Sequence, residues 1–140
     1  MQPLNTIRQL GYVVSDLDEA LNYWVYVLGA GPFFLIKHCA LKDQIYRGLP
    51  SAVDVDIALG NSGEVQIELI YQHSDEPSIY NETNPSGHLG LHHFGVMPND
   101  FERAKETMLQ QACEQAFACT VNNAKLAYFD TRKQVGHITE

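Results

Sequence analysis

QLGYVVSDLDEA at residues 9–20 and HFGVMPNDFERA at residues 93–104 are two copies of one pattern, and this repeat decides the fold. The copies lie 84 positions apart without a gap, and the identical pairs are Gly11 with Gly95, Asp16 with Asp100 and Ala20 with Ala104. Each copy starts as an apolar, strand-like run and passes through a polar capping signal into residues with helical spacing. Because such a unit cannot bury its apolar face alone, the repeat indicates two modules that share one core.

Each copy predicts one helix. Ser15 or Asp16 caps the first helix and Asn99 or Asp100 the second. The first helix ends at the glycines that follow residue 28, and the second runs to about residue 111. Helical spacing aligns apolar side chains on one stripe of each helix, namely Leu17, Ala20, Leu21, Trp24 and Leu28 in the first and Phe101, Ala104, Met108 and Leu109 in the second.

Three strand-like runs follow each predicted helix. They span residues 33–38, 53–59 and 64–71 in the first copy and residues 115–121, 125–130 and 135–140 in the second. The prediction is therefore a single α+β domain over residues 1–140, built from two βαβββ modules at about 5–72 and 91–140. A linker at about 73–90 joins the modules, and residues 39–52 form a long internal loop.

Composition argues against several classes of protein. The chain carries 17 acidic and 9 basic residues, a formal charge of −8 that would repel the phosphate backbone of a nucleic acid. No apolar stretch approaches the roughly 20 residues that a membrane span needs, and no signal peptide is recognisable, so we expect a cytoplasmic protein. The three cysteines, Cys39, Cys113 and Cys119, form no CxxC pair and are predicted to be buried or idle thiols.

Four polar residues occupy matching strands of the two copies. His93 lies early in the first strand of the second copy, and Gln9 has the same place in the first copy. Glu68 interrupts the apolar strand EVQIELIY, and Glu140 ends the last strand of the second copy. Strand alternation puts His92 on the face opposite His93, so only one of the two is expected to point inward. Gln9, Glu68, His93 and Glu140 could therefore converge.

Such a group has the chemistry of a metal site. One imidazole, two carboxylates and one amide oxygen suit a divalent ion such as Zn²⁺, Ni²⁺, Co²⁺ or Mn²⁺ and leave positions open for a substrate. The ion would polarise a carbonyl, and a carboxylate could then remove a proton from the neighbouring carbon. Taken singly, a histidine or glutamine on a strand is more often a hydrogen-bonded structural residue, and a glutamate usually faces solvent. The remaining histidines have no counterpart of this kind and are predicted to be surface or packing residues: His38, His73, His88, His92 and His137.

The segments IRQLGYVVSDLDEALNYW, VQIELI, GLHHFGVMPNDFERA and AYFDTRKQVGHITE, in this order, resemble the vicinal oxygen chelate superfamily. This superfamily includes glyoxalase I, methylmalonyl-CoA epimerase, extradiol dioxygenases and bleomycin-resistance proteins. The resemblance implies paired modules that curl into a cupped, partly open mixed β-sheet barrel with its helices outside. It also implies metal ligands on the first and last strands of each module, which here are Gln9, Glu68, His93 and Glu140.

The resemblance further implies roles for these residues. Glutamine at the first ligand position resembles some glyoxalase I enzymes, and the strand wording is closer to methylmalonyl-CoA epimerase-like members, in which glutamates act as bases. Glu140 and Glu68 are therefore the expected catalytic bases. Because Glu140 is the last residue of the sequence, its backbone is expected to fray.

These observations predict a metal-dependent isomerase, epimerase or lyase that acts on a small 2-oxo, thiohemiacetal or acyl-thioester substrate, in a protein expected to be a homodimer. Two alternatives stay open: a non-catalytic small-molecule-binding protein of the bleomycin-resistance type, and an Fe(II) extradiol dioxygenase, which Gln9 disfavours because a histidine is missing there. The loops at 39–52 and 72–90 are expected to contact the substrate, through Tyr46, Arg47, Tyr80 and His88.

Overall fold

The two copies of the repeat meet strand against strand at the centre of the molecule. In the computed structural model, which describes residues 6–82 and 90–140, β1 (Ile7–Val13) runs antiparallel to β7 (Gly90–Val96). Leu10 lies opposite Phe94, its counterpart in the repeat 84 positions later in the sequence. An approximate local two-fold axis therefore relates the two copies of the repeat.

Each central strand is flanked on its other side by the last strand of its own module. The first module contains β1, α1 (Leu17–Asn22), a π-helical turn (Tyr23–Val27), β2 (Phe34–Ile36), β3 (Lys42–Tyr46), β4 (Leu49–Pro50), β5 (Val55–Ser62) and β6 (Val65–Gln72). The rest of the described chain contains α2 (Ile79–Glu82), β7, α3 (Phe101–Gln110), β8 (Glu114–Val121), β9 (Ala124–Asp130), α4 (Arg132–Val135) and β10 (Ile138–Thr139). β6 pairs parallel with β1, and β10 pairs parallel with β7.

The strands form one ten-stranded sheet in the order β2-β5-β6-β1-β7-β10-β9-β8-β3-β4. This mixed sheet curls into a half-barrel with α1 and α3 on its convex side, which confirms the predicted α+β fold. No helix within residues 6–82 and 90–140 has the length and apolarity to cross a membrane.

Both helices on the convex side begin where the repeat predicts. The Asp16 carboxylate accepts a hydrogen bond from the Glu19 backbone N–H at 2.8 Å, and Asp100 accepts one from Arg103 at 3.0 Å. These caps satisfy amide groups that the first turn of a helix leaves without a partner. Of the two capping candidates in each copy, the aspartate is the one used.

The predicted apolar stripes are correct at their starts and wrong at their ends. Leu17, Ala20, Leu21 and Trp24 pack against the convex face of the sheet, and Phe101 and Met108 do so in the second copy. Leu28 and Leu109 are 51% and 49% exposed. For Leu28 the reason is the π-helical turn after Asn22, because its wider winding rotates the following side chains off the stripe.

The concave face of the sheet holds the larger core. α2 packs into it, and its Tyr80 ring contacts Phe117 and Tyr128 edge to face. The three cysteines are buried free thiols, as predicted, and Cys39 and Cys119 belong to this core. The concave face is thereby closed at one end and left open around the central strands.

Three predicted segments differ from the structure. Residues 39–52 are not a loop, because β3 and β4 form a hairpin whose first strand pairs antiparallel with β8 of the other module. The predicted linker contains α2. The predicted strand over 135–140 is reduced to β10, because α4 extends to Val135 and Gly136, at φ +83°, turns the chain out of the helix.

Candidate metal centre

Four polar side chains meet on the concave face between the two modules. The Nε2 atom of His93, on β7, lies 3.1 Å from Oε1 of Gln9 on β1 and 3.3 Å from Oε2 of Glu68 on β6. It also lies 3.1 Å from Oε2 of Glu140, which follows β10. His93 is fully buried, and Gln9 and Glu68 are each 7% exposed. The structure therefore brings together all four residues that the sequence predicts for the site.

Two glycines make room for the two central side chains. A Cβ atom on Gly11 would lie 2.0 Å from Cε1 of His93, and one on Gly95 would lie 2.7 Å from Oε1 of Gln9. Gly11 faces His93 and Gly95 faces Gln9 across the same pair of strands. Each glycine that is identical in the two copies thus provides the space for the site residue of the other copy.

A β-bulge precedes each of these site residues. In the β1–β7 ladder, Arg8 is skipped between Ile7 and Gln9, and His92 is skipped between Leu91 and His93. The bulges are equivalent under the repeat, but Arg8 is exposed and His92 is 2% exposed. A bulge breaks strict alternation, so both histidines are buried side by side. The expectation that only one of them points inward is therefore wrong.

His92 determines which nitrogen of His93 faces the site. Nε2 of His92 donates to the carbonyl oxygen of Ile79 at 2.8 Å, and its Nδ1 lies 3.0 Å from Nδ1 of His93. Burial, and next the nearby His93, lower the pKa of His92 to about 3, so this ring is neutral and its Nδ1 accepts. Nδ1 of His93 must then donate to it. When a cation displaces the proton on Nε2 of His93, the lone pair of that atom would point into the site, the arrangement expected of a metal-binding imidazole.

Gln66 orients the amide of Gln9 in a similar way. Nε2 of Gln9 donates to Oε1 of Gln66 at 2.8 Å, which leaves Oε1 of Gln9 directed at His93. Both residues lie on the concave face, as the alternation of β6 predicts. The neutral site residue therefore presents its oxygen, the atom that a hard cation prefers.

The electrostatics of the four residues fit a bound cation. Burial alone would lower the pKa of His93, but the hydrogen bond with Glu140 and the charges of Glu140 and Glu68 raise it to about 9. Burial raises the pKa of Glu68, whose Oε2 is buried and accepts no hydrogen bond. One imidazole proton cannot serve three acceptor atoms at about 3 Å, whereas a divalent ion can be bound by oxygen and nitrogen together. Glu68, His93 and Glu140 offer ligand atoms that all lie within 4.8 Å of one another.

The end of the chain is anchored at the site. The Glu140 backbone N–H donates to the Phe94 carbonyl at 2.8 Å, and the Val96 N–H donates to the Glu140 carbonyl at 2.9 Å. Both backbone groups of Glu140 are thus bonded to β7. These bonds extend the β10–β7 pairing by one residue.

A cavity of about 470 Å³ begins beside the four residues and extends past the end of β7 to Phe101 and Met108 of α3. Gln9, Glu68 and Glu140 line its polar end, and its walls are mainly apolar, with Cys39, Leu59, Cys119, Tyr128 and Tyr80 among them. Of the predicted substrate contacts, Tyr80 lines this cavity. Tyr46 and Arg47 do not, because both bind the Glu82 carboxylate at the end of α2, and His88 lies outside the described residues.

Sequence reasoning did not assign His92 and Gln66 to this site. His92 lies next to the predicted ligand, but a bulge cannot be recognised from an alternating pattern. Gln66 had a usable signal, since it shares the face of Glu68 and its strand is parallel to β1.

The chain is similar to a known protein family and to several solved structures. The family model described as Glyoxalase/Bleomycin resistance protein/Dioxygenase superfamily matches residues 8–128. No protein sequence of curated function is significantly similar to the chain. Among solved structures, a hypothetical protein from Bacillus halodurans C-125 is similar with a TM-score of 0.68 and 22% identity, covering 96% of this chain and 90% of that one.

Two enzymes are also similar in structure. A methylmalonyl-CoA epimerase variant from Streptomyces coelicolor, in complex with 2-nitronate-propionyl-CoA, has a TM-score of 0.64 and 14% identity over 95% of this chain and 92% of that one. A 4-hydroxymandelate synthase variant from the same organism has a TM-score of 0.61 and 15% identity, covering 81% of this chain and 33% of that one. At these identities the likeness shows a shared fold.

Proposed function

The chain belongs to the glyoxalase/bleomycin resistance/dioxygenase superfamily, and from this membership we propose that it is a metal-dependent isomerase, epimerase or lyase. It would move a proton on the carbon next to a carbonyl of a small substrate. The observation that carries this proposal is the convergence of three acceptor oxygens within 3.1–3.3 Å of the Nε2 atom of His93 at the end of the cavity.

Members of this superfamily typically bind a metal, and here Gln9, Glu68, His93 and Glu140 would hold it. The donor set suits Zn²⁺, Ni²⁺, Co²⁺ or Mn²⁺. When bound, the ion supplies Lewis acidity that polarises a carbonyl oxygen and makes the neighbouring C–H more acidic. His92 and Gln66 would keep the imidazole and the amide in the orientation that binding requires.

The two carboxylates would move the proton. Glu68 lies at the end of the cavity, with its Oε2 atom 3.3 Å from Nε2 of His93. Glu140, which follows β10, approaches from the other side, so one carboxylate would remove the proton from the tetrahedral carbon and the other would return a proton to the opposite face of the planar carbon that results. Such a proton transfer requires two carboxylates and no nucleophile.

The cavity supports a small, largely apolar substrate. Its volume of about 470 Å³ lies within the range of small-ligand pockets, roughly 300–1,000 Å³. We propose 2-oxo compounds, their thiohemiacetals and acyl thioesters as the substrate class. The epimerase of similar fold that was crystallised with a nitronate-propionyl-CoA supports the inclusion of acyl thioesters among the first compounds to be tested.

The first test is metal content, measured by plasma mass spectrometry on the purified protein and on Glu68→Ala. We expect about one equivalent of Zn, Ni, Co or Mn at this centre, lost in the variant. The second test follows exchange of the substrate α-proton in D₂O by NMR. Glu68→Gln and Glu140→Gln keep an oxygen ligand and remove the base, so we expect slower exchange with metal retained, and Glu64→Gln, exposed near the start of β6, is the matched control.

The alternatives predict other results. Tight binding of a small molecule with no proton exchange, in a protein that takes up no metal at Glu68, would make this a binding protein of the bleomycin-resistance type. Oxygen consumption with a catechol and Fe²⁺ would instead support the dioxygenase alternative. Either result would overturn the proposal.

We also propose that the protein is a cytoplasmic homodimer formed through the edge of the first module. Phe34 on the edge strand β2 is 72% exposed, and Leu35 and Ile36 on the same strand are 44% and 38% exposed. Apolar side chains exposed together on a sheet edge are typical of an interface. Phe34→Glu should yield monomers in analytical ultracentrifugation, whereas Leu49→Glu, on the opposite edge strand β4 and 69% exposed, should not.

A further inference from the structure

A second group of metal-binding side chains lies on the convex side of the sheet, away from the central site. Asp56 is on β5, where Val55 and Ile57 point into the concave core, so alternation directs Asp56 to the other face. His38 follows β2 and His73 follows β6. Because β2, β5 and β6 are neighbours in the sheet, the ends of three chain segments bring these side chains together.

The group is held in place by the backbone and by a second carboxylate. Oδ1 of Asp56 accepts from the His38 backbone N–H at 2.8 Å and lies 2.8 Å from Nε2 of His73. Nδ1 of His38 lies 2.8 Å from Oδ2 of Asp54. The two imidazole rings are stacked, with centroids 4.5 Å apart and an angle of 20° between their planes.

These distances are close to those of a coordination sphere. His38, Asp56 and His73 can each offer a ligand atom so that all three atoms lie within 4.8 Å of one another. Two ligands of one tetrahedral zinc ion are roughly 3.4 Å apart, given bonds of about 2.0–2.1 Å. Asp56 is only 8% exposed and fixed, whereas the His38 and His73 side chains are 64% and 31% exposed. Small rotations of the two accessible rings would close the remaining gap.

The surroundings favour a cation. A shallow cleft beside Asp56 is lined by Asp16, Asp18 and Lys37, so carboxylates outnumber ammonium groups there. Asp54 would accept a hydrogen bond from Nδ1 of His38 and leave Nε2 of that ring for coordination, which is the carboxylate–histidine arrangement seen behind many metal ligands.

We propose that His38, Asp56 and His73 form a second, surface-accessible site for a divalent transition-metal ion of the Zn²⁺, Ni²⁺ or Cu²⁺ type. Two imidazoles and one carboxylate are the ligands these ions prefer, and an open position toward solvent would be filled by water. The ion would fasten the end of β2 to β5 and to the segment after β6. Its role is independent of the proton chemistry proposed for the concave site.

The test counts and locates zinc ions in the full-length protein. Equilibrium dialysis against Zn²⁺ with plasma mass spectrometry should find one equivalent more in the wild-type protein than in His73→Gln. In parallel, ¹H–¹⁵N spectra of the histidine rings should show His38 and His73 responding together as Zn²⁺ is added. His137→Gln removes another partly exposed imidazole, one that packs on Phe94, and should keep the full count.

Two further variants distinguish coordination from a loss of structure. Asp56→Asn keeps an oxygen that can accept from the His38 N–H and removes the ligand charge, so we expect the extra ion to be lost while the fold persists. Asp54→Asn should weaken binding about tenfold, the lower end of what loss of an outer hydrogen-bond partner costs. The proposal is overturned if the His38 and His73 rings do not respond to Zn²⁺, or if the count is the same in His73→Gln and the wild type.

Discussion

β1 and β7 share the same backbone arrangement and differ in the side chains that hold their site residues in place. Both carry a bulge, then a site residue, then a glycine two positions later that accommodates the other strand's site residue. In β7 the bulged residue is the buried His92, which holds an imidazole, whereas in β1 it is the exposed Arg8, and the amide of Gln9 is held by Gln66 of β6 instead. The duplicated geometry therefore creates two equivalent positions, and the local partner decides which chemistry each position has.

The strongest way to break this equivalence is to fill the space behind one site residue. Gly11→Ala puts a Cβ atom 2.0 Å from an imidazole that His92 holds in place, so the ring cannot move away easily. Gly95→Ala meets Oε1 of Gln9 at 2.7 Å, which rotation of the flexible amide relieves, and Cβ of Gln9 at 2.8 Å, which requires a small backbone shift. We expect Gly11→Ala to lower the free energy of unfolding by about 3 kcal/mol and Gly95→Ala by about 1 kcal/mol, within the range of overpacking. Urea unfolding measures both, and equal losses would show that the two positions respond alike.

Removal of the two site residues tests the same difference in metal binding. His93→Ala should lower the affinity for Zn²⁺ by more than the roughly 10- to 100-fold that loss of an outer partner costs, because it removes the central nitrogen ligand. Gln9→Ala removes a neutral oxygen and should fall within that range. Competition with a zinc-binding dye gives both values. Unchanged affinity in both variants would remove the proposed metal centre.

A pH series compares the position of His93, which titrates, with the equivalent position of Gln9, which does not. Without metal, the pKa of His93 is about 9, above its ordinary value of 6.5, because Glu140 and Glu68 outweigh the opposing effect of burial. Its contribution to stability should be fully present below pH 6.5 and lost as the pH rises through 9, a loss of about 3 kcal/mol. Denaturant midpoints in EDTA should show this decline for the wild type. In His93→Gln, which has glutamine at both equivalent positions, the curve should flatten over the same range.

The smallest expected effect concerns the bulged residues. His92→Phe keeps a buried ring and removes the acceptor for Nδ1 of His93, so metal affinity should fall about tenfold. Arg8→Ala, at the equivalent exposed position, should leave metal affinity unchanged. Isothermal titration with Zn²⁺ compares the two variants. An equal loss in both would mean that the bulge itself, rather than the imidazole, supports the site.

The repeat explains why so much of the centre could be predicted from the sequence. Identical glycines 84 positions apart aligned two strands, and one residue of each strand, Gln9 and His93, then had to share a face. Glu68 followed from the alternation of its own strand. Features that depend on one module touching the other were missed, such as the pairing of β3 with β8, because no local pattern encodes a partner that is distant in sequence.

Errors of a second kind came from local irregularity. The burial of His92 depends on a bulge, and the exposure of Leu28 depends on a π-helical turn, and both change the direction of side chains without changing their order. The convex His38–Asp56–His73 group was missed because its members lie in three separate segments and gain meaning only when β2, β5 and β6 are neighbours.

The β3–β4 hairpin of the first module pairs with β8 of the second module, and this pairing affects how the chain folds during its synthesis. When the first module emerges from the ribosome, β1 lacks its neighbour β7 and β3 lacks its neighbour β8, so the nascent chain carries two open sheet edges at once. Both close only after the second half has been synthesised, because residues such as Ile45 and Ala118 lie far apart in sequence. An arrest of translation between the modules would thus release a fragment with two surfaces ready for aggregation.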